Sequence, residues 1–150
     1  MSRLYTIGFC GWTAEDFFET LRNSKTVRLI DVRRNNNRQL DGFTKITHFP
    51  YFLRELCSMS YCYVPSLAPD QALFDDWQRR DITWGEYESR YSELISERKA
   101  LDDLDPFWFS ELCCLLCSEP TPEHCHRRLL AGMIKEIITD IEITHLVNDQ

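Results

Sequence analysis

Toward its C-terminal end the chain reads CLLCSEPTPEHCHRRLLA, from Cys114 to Ala131. An apolar run passes through two prolines and ends on Cys125, His126, Arg127 and Arg128 in a row. Thiol, imidazole and guanidinium are the groups that serve enzymes as nucleophile, acid–base partner and anion holder. Here they stand where a helix is expected to open, near Pro120 or Pro122. The free N–H groups and positive dipole end of such a helix favour an anion. A cysteine beside cations and a helix start also loses its proton more readily. Cys117 and Cys125 are therefore candidate nucleophiles, and Glu119 and His126 are candidate acid–base groups. Arg127 is a candidate anion ligand, with Arg33 and Arg38 as possible companions of the same planar, bidentate kind.

These residues meet only if the fold brings them together. Leu4–Phe9 reads as a short buried strand, and Thr13 as the cap of a helix carrying Phe17, Phe18 and Leu21. Val27–Val32 is a second strand, followed by the polar loop RRNNNRQLDGFTK. A helix is expected over Thr47–Met59, a third strand over Tyr61–Pro65, and helices over Pro69–Arg79 and Thr83–Lys99. In the last of these, Trp84, Tyr87, Tyr91, Leu94 and Ile95 recur at helical spacing and read as core. Glu111–Cys117 is a continuous apolar run of strand length, which suits burial on both faces. A helix and a last strand, Glu142–Val147, complete the chain.

Strands alternating with helices predict a three-layer, Rossmann-like α/β domain with a mainly parallel sheet. Ligands of such sheets sit beyond the carboxyl ends of the strands. Beyond those ends come Gly8 and Cys10, then Arg33, Arg34 and the loop with Arg38 and Phe43, then Pro65–Ser66. Cys117, Glu119, Cys125 and His126 follow the fourth strand. The least core-like residues fall on one edge, and that convergence predicts a site. Each also has an ordinary role open to it. Arg33 can pair with Asp31, Cys125 can fill space in a first helical turn, and His126 can be a hydrogen-bonded core histidine.

The totals narrow the functions. A chain of 150 residues suits one domain with its own core. No stretch has the length of a membrane span and no leader opens the chain, so the expected address is cytoplasmic. Seven cysteines, an odd number, do not form a closed disulfide framework. Cys113 and Cys114 read as buried thiols in a reducing compartment. A net charge of −7 argues against a broad nucleic-acid surface and restricts any such contact to a pocket. No cofactor is indicated. Cys117, Cys125, His126 and His48 are soft or borderline metal ligands, but their C-x7-C-H spacing matches no zinc motif and a fourth ligand is not evident.

The chain resembles the bacterial and archaeal family catalogued as domain of unknown function 488. The resemblance rests on Thr6-Ile7-Gly8-Phe9-Cys10, on Asp31-Val32-Arg33, on Arg38 with Phe43, on Leu115-Leu116-Cys117-Ser118-Glu119 and on Cys125-His126-Arg127. It implies a compact α/β fold and a prokaryotic source, and it names no reaction. Where that family has histidine and serine in its first motif, this chain has Phe9 and Cys10.

Three readings follow. The first is an enzyme-like pocket for a phosphate-bearing small molecule, nucleotide or nucleic-acid end. The second is a non-catalytic module that docks a protein or nucleic-acid partner on the loop from Arg33 to Phe43, with Trp12 or Phe43 stacking. The third is redox or sulfur-transfer chemistry at Cys117 and Cys125, or a metal held by them.

Overall fold

A computed structural model describes residues 2–148. Five parallel strands form one sheet: β1 (Arg3–Gly8), β2 (Arg28–Asp31), β3 (Ser60–Tyr63), β4 (Cys113–Cys117) and β5 (Glu142–Leu146). Their order across the sheet is β3-β2-β4-β1-β5. Five helices join them: α1 (Ala14–Asn23), α2 (Phe49–Cys57), α3 (Gln71–Gln78), α4 (Trp84–Arg98) and α5 (His126–Ile137). The fold is the expected α/β class with an all-parallel sheet.

The order explains where a ligand belongs. From β1 the chain crosses β4 to β2 and then reaches the edge at β3. It then returns to the centre at β4 and steps over β1 to β5. Right-handed crossovers in opposite directions place their helices on opposite faces. The buried residues divide that way. Phe17, Phe18, Leu21, Phe49 and Leu53 of α1 and α2 cover one face with Cys114 and Leu116. Leu73, Tyr87, Tyr91, Leu130 and Ile134 of α3, α4 and α5 cover the other with Cys113 and Leu115. All of β4 is buried, as its unbroken apolar run requires. The direction reverses on both sides of β4, so the crevice opens where β1, β2 and β4 end.

Helix α5 begins at His126, later than the prolines led us to expect. Residues 118–125 form the connection instead, and Cys125 in extended conformation caps the helix. Its Sγ accepts from the Arg127 N–H at 3.5 Å. A proline fits a helix start only where the residues after it keep helical dihedrals. The buried face of α5 also differs from the apolar stripe. Arg127 is fully buried beside Leu130, Ala131 and Ile134, whereas Ile137 is largely exposed.

Candidate functional site

The second-strand motif builds a wall. Asp31 ends β2 fully buried, a position costly for a carboxylate without partners. Arg33, itself buried, folds back on it. Arg33 Nε donates to Oδ1 and Nη2 to Oδ2, each at 2.8 Å. The Tyr61 hydroxyl donates to Oδ2 as well. The remaining Arg33 donors reach the Thr44 hydroxyl and carbonyl at 2.8 and 2.9 Å and face Asp41 at 3.7 Å. Asp41 is buried too and also takes Arg38 Nη2 at 3.0 Å. Two carboxylates and two guanidiniums thus cancel, and they clamp the loop to the sheet. Arg33 was expected as an anion ligand, but its donors are spent inside the protein. Arg38, half-exposed, keeps donors facing outward.

The fourth-strand motif builds the floor. Cys117 ends β4 and Cys125 caps α5, and their sulfurs lie 2.7 Å apart. That is longer than the roughly 2.05 Å of a disulfide and shorter than an ordinary non-bonded contact. Both are free thiols. Arg127 Nη1 donates to Cys117 Sγ at 3.0 Å and to the Glu119 carbonyl at 2.6 Å. Arg127 Nε donates to Thr6 Oγ1 at 3.1 Å, and Thr6 bonds His145 Nδ1 at 2.6 Å. Arg127 Nη2 meets no hydrogen-bond criterion with any partner among the described residues. Arg127 was also expected to hold an external anion. Its place is beneath the floor, where it donates to the Cys117 sulfur.

This surrounding divides the two thiols. Burial alone would raise the Cys117 pKa. The bond from Cys125, the Arg127 charge and the Glu119 backbone N–H overturn that and hold it below the ordinary thiol value. Burial, then the neighbouring Cys117 charge, push Cys125 far up. The surroundings therefore favour ionisation of Cys117 over Cys125. Cys113, by contrast, is pushed up to about 11 by burial.

A cleft with an empty volume of about 660 Å³, its open mouth included, stands over this floor. Cys117, Glu119, Cys125, His126, Arg33 and Arg38 all line it. His126 donates from Nε2 to the Val32 carbonyl at 2.9 Å, because a carbonyl only accepts. Burial, with the Arg127 charge, draws its pKa down to about 4. The ring is therefore neutral near pH 7 and presents Nδ1 as an acceptor.

A test of stability follows from that shift. The folded pKa lies below the ordinary 6.5, so the neutral ring stabilises the fold above that value and loses its contribution as pH falls toward 4. Wild-type protein is expected to lose up to about 3 kcal/mol over this window. His126→Gln, which keeps a donor for Val32, should flatten most of the loss in thermal melts. A smaller slope should persist from His145, whose pKa is lowered by burial and by Arg127.

Other predicted residues stand apart from the cleft. Gly8 lies under the floor, where an added Cβ would sit 1.5 Å from the Glu119 carbonyl oxygen and 2.8 Å from Arg127 Nη1. Cys10 is exposed beside it, its N–H donating to the Ser118 carbonyl at 3.1 Å. Phe43 belongs to the opposite layer, 5.2 Å from the Phe17 ring and 5.6 Å from Phe18. Trp12 also leans on Phe17. Both rings are half-buried and pack on the Phe17 layer, away from the cleft. Among the described residues, no group of three His, Cys, Asp or Glu side chains could hold a metal ion. His126 donates to Val32 and His48 stacks on Phe52.

The cleft also contains residues that the sequence did not single out: Asn35, Phe74, Trp77 and His124, together with Arg34 and Tyr87 in new roles. Tyr87 lay on a stripe that reads as core, and it is indeed buried while showing its edge to the cleft. Thr6 stands in the first motif, but its bond to Arg127, 121 positions away, and the place of His145 beside it carry no local signal.

Comparisons complete the description. No curated protein and no solved structure matches the chain. A family profile does match, over residues 13–134. It takes in the Asp31-Val32-Arg33, Cys117-Ser118-Glu119 and Cys125-His126-Arg127 motifs that form the wall and floor, and it begins after Thr6–Cys10. The chain therefore belongs to the family described as domain of unknown function DUF488.

Proposed function

We propose that the cleft is an enzyme site for thiol–disulfide exchange, with Cys117 as nucleophile and Cys125 as resolving thiol. The observation that carries this reading is the 2.7 Å approach of the two sulfurs, with Arg127 on the Cys117 side. Only a thiolate attacks, and Cys117 is the member of the pair whose pKa its surroundings lower. Its sulfur attacks one sulfur of a small disulfide and forms a mixed disulfide, releasing the other half as a thiolate. Loss of the Cys117 charge lets Cys125 give its proton to that leaving thiolate. Cys125 then attacks the Cys117 sulfur and expels the second half. The protein pair loses two electrons and the substrate disulfide gains them. A dithiol reductant restores the pair. Seven free cysteines suit the reducing cytoplasm in which such a reductant is found.

The phosphate-pocket reading has weaker support. Two of its three arginines, Arg33 and Arg127, are matched by Asp31, Asp41 and the Cys117 sulfur. A partner-docking module has no contact of comparable specificity behind it, since Phe43 and Trp12 pack on Phe17 away from the cleft.

The test is oxidation of the reduced protein with a small disulfide, followed by peptide mapping. A Cys117–Cys125 disulfide is expected, and Cys125→Ser should stop at a mixed disulfide on Cys117. Mixed disulfides confined to Cys10 and Cys62, with Cys117 unmodified, would defeat the reading.

A further inference from the structure

We infer that the cleft takes a small, flat, anionic ring compound, an aromatic disulfide or thiol whose negative group sits at the rim and whose sulfur points to the floor. This rests on the exchange site proposed above and names its substrate class.

The size limit comes from the floor. Cys117 is 1% exposed and Cys125 is 2% exposed, so a disulfide embedded in a folded protein does not reach them. The preference for a ring comes from one wall. Trp77 of α3, Tyr87 of α4 and His124 of the loop before α5 line it, with Phe74 at 38% exposure beside them. The wall is backed by a second layer. Trp84 stacks on Tyr87 at 4.7 Å and 13°, and lies 4.9 Å from the His124 ring. Trp77 meets His124 edge-on at 5.5 Å. Tyr87 shows only its edge and Arg80 lies over the Trp77 ring at 4.2 Å, so the wall offers fixed aromatic edges against which another ring packs edge to face.

The charge comes from the facing wall. Arg34, Asn35 and Arg38 line it from the loop after β2. The described ion pairs of this loop involve Arg33 and Arg38 and leave out Arg34, whose side chain is exposed. Arg38 shares only one terminal nitrogen with Asp41. Planar guanidinium donors of this kind suit a carboxylate, sulfonate or phosphate. The floor does not suit the same groups, because the Glu119 carboxylate lines it. An anionic ring compound thus enters with its charge outward and its sulfur inward, the order that thiolate attack needs.

Two measurements separate this inference from the exchange chemistry. The first uses Cys117→Ser, which does not react, and titrates it with nitrobenzoate and with uncharged nitrobenzene by calorimetry. Nitrobenzoate is expected to bind more tightly. Arg34→Glu, which breaks no described ion pair, should weaken it about tenfold while leaving nitrobenzene unchanged. Phe74→Ala should weaken both. The second uses protein whose Cys10, Cys57 and Cys62 are serine. It compares reaction rates with bis(nitrocarboxyphenyl) disulfide, dipyridyl disulfide, cystamine and dithiodipropionate, each normalised to glutathione. The carboxylated aromatic disulfide should be favoured, and Arg34→Glu should remove that advantage. Equal binding of the charged and uncharged rings, or normalised rates that do not differ, would overturn the substrate class even if Cys117 reacts. Selective ring binding with an inert Cys117 would support the class and defeat the exchange chemistry instead.

Discussion

Gly8→Ala is expected to cost about 3 kcal/mol or more, a loss at the severe end for a single added methyl group. Gly8 ends β1, and its register partner in β4 is Cys117. The connection after β4 folds back so closely that an alanine Cβ would lie 1.5 Å from the Glu119 carbonyl oxygen and 2.5 Å from its carbon. Those are backbone atoms, so no rotamer change relieves the overlap. The same Cβ would press on Arg127 Nη1, the group that holds Cys117. Urea unfolding should show the loss, and alkylation of Cys117 in the surviving folded fraction should be slower. Gly132→Ala is the control. It is an exposed position inside α5 with nothing within 4 Å of the new methyl, and it should gain about 0.5–1 kcal/mol. If Gly8→Ala melts with wild type, the Glu119 carbonyl does not close over Gly8 as described.

The two glycines show what the sequence makes legible and what it hides. Strand and helix positions could be read from period and length, because Phe17, Phe18, Leu21 and the run from Cys113 to Cys117 each bury a face that local spacing defines. The edge on which the candidate residues gather could also be read, since it follows from parallel strands alone. Strand order could not, because it depends on how five strands compete for neighbours. Nor could the roles of the arginines. Arg33, Arg38 and Arg127 are alike in sequence, each a cation near a loop. What separates them is burial and the position of Asp31, Asp41 and Cys117 around them. Asp31 stands two residues before Arg33, so their pairing was open to the eye. Asp41 and Thr44 complete it from a 3₁₀ segment that polarity marked only as loop. The aromatic wall was hidden for a similar reason. Trp77 and Tyr87 have the spacing of core residues, and a core ring that also borders a cleft looks the same in sequence.

Arg127→Met is expected to slow alkylation of Cys117 at neutral pH by about tenfold or more, with a much smaller effect on the fold. Methionine occupies a similar path without charge. Cys117 is wholly buried, and burial alone favours the protonated thiol. The bond from Cys125, the Arg127 charge and hydrogen bond, and the Glu119 N–H reverse that preference. Without Arg127 the thiol keeps its proton, so no unpaired charge is left inside. The fold loses bonds to Thr6, Cys117 and the Glu119 carbonyl, but it also sheds Nη2, a buried donor with no hydrogen-bond partner among the described residues. Those changes largely offset, for a net cost of about 1–2 kcal/mol. The pH dependence separates this effect from simple damage. A thiol with a depressed folded pKa stabilises the protein above its ordinary value and loses that contribution as pH falls through the folded one. The alkylation rate of Cys117 should therefore have its rising limb below the ordinary thiol range in wild type and at higher pH in Arg127→Met. Cys125, shifted the other way, stabilises below the ordinary thiol value and loses its contribution as pH rises. Both variants should thus weaken on the alkaline side, and Arg127→Met more steeply, since Cys117 then joins Cys125 in resisting ionisation. Arg127→Lys restores the charge without the second guanidinium nitrogen, and it should recover part of the shift in the limb. A limb that stays in place in Arg127→Met, with only a lower melting temperature, would make Arg127 a packing residue and remove the reason for assigning the thiolate to Cys117.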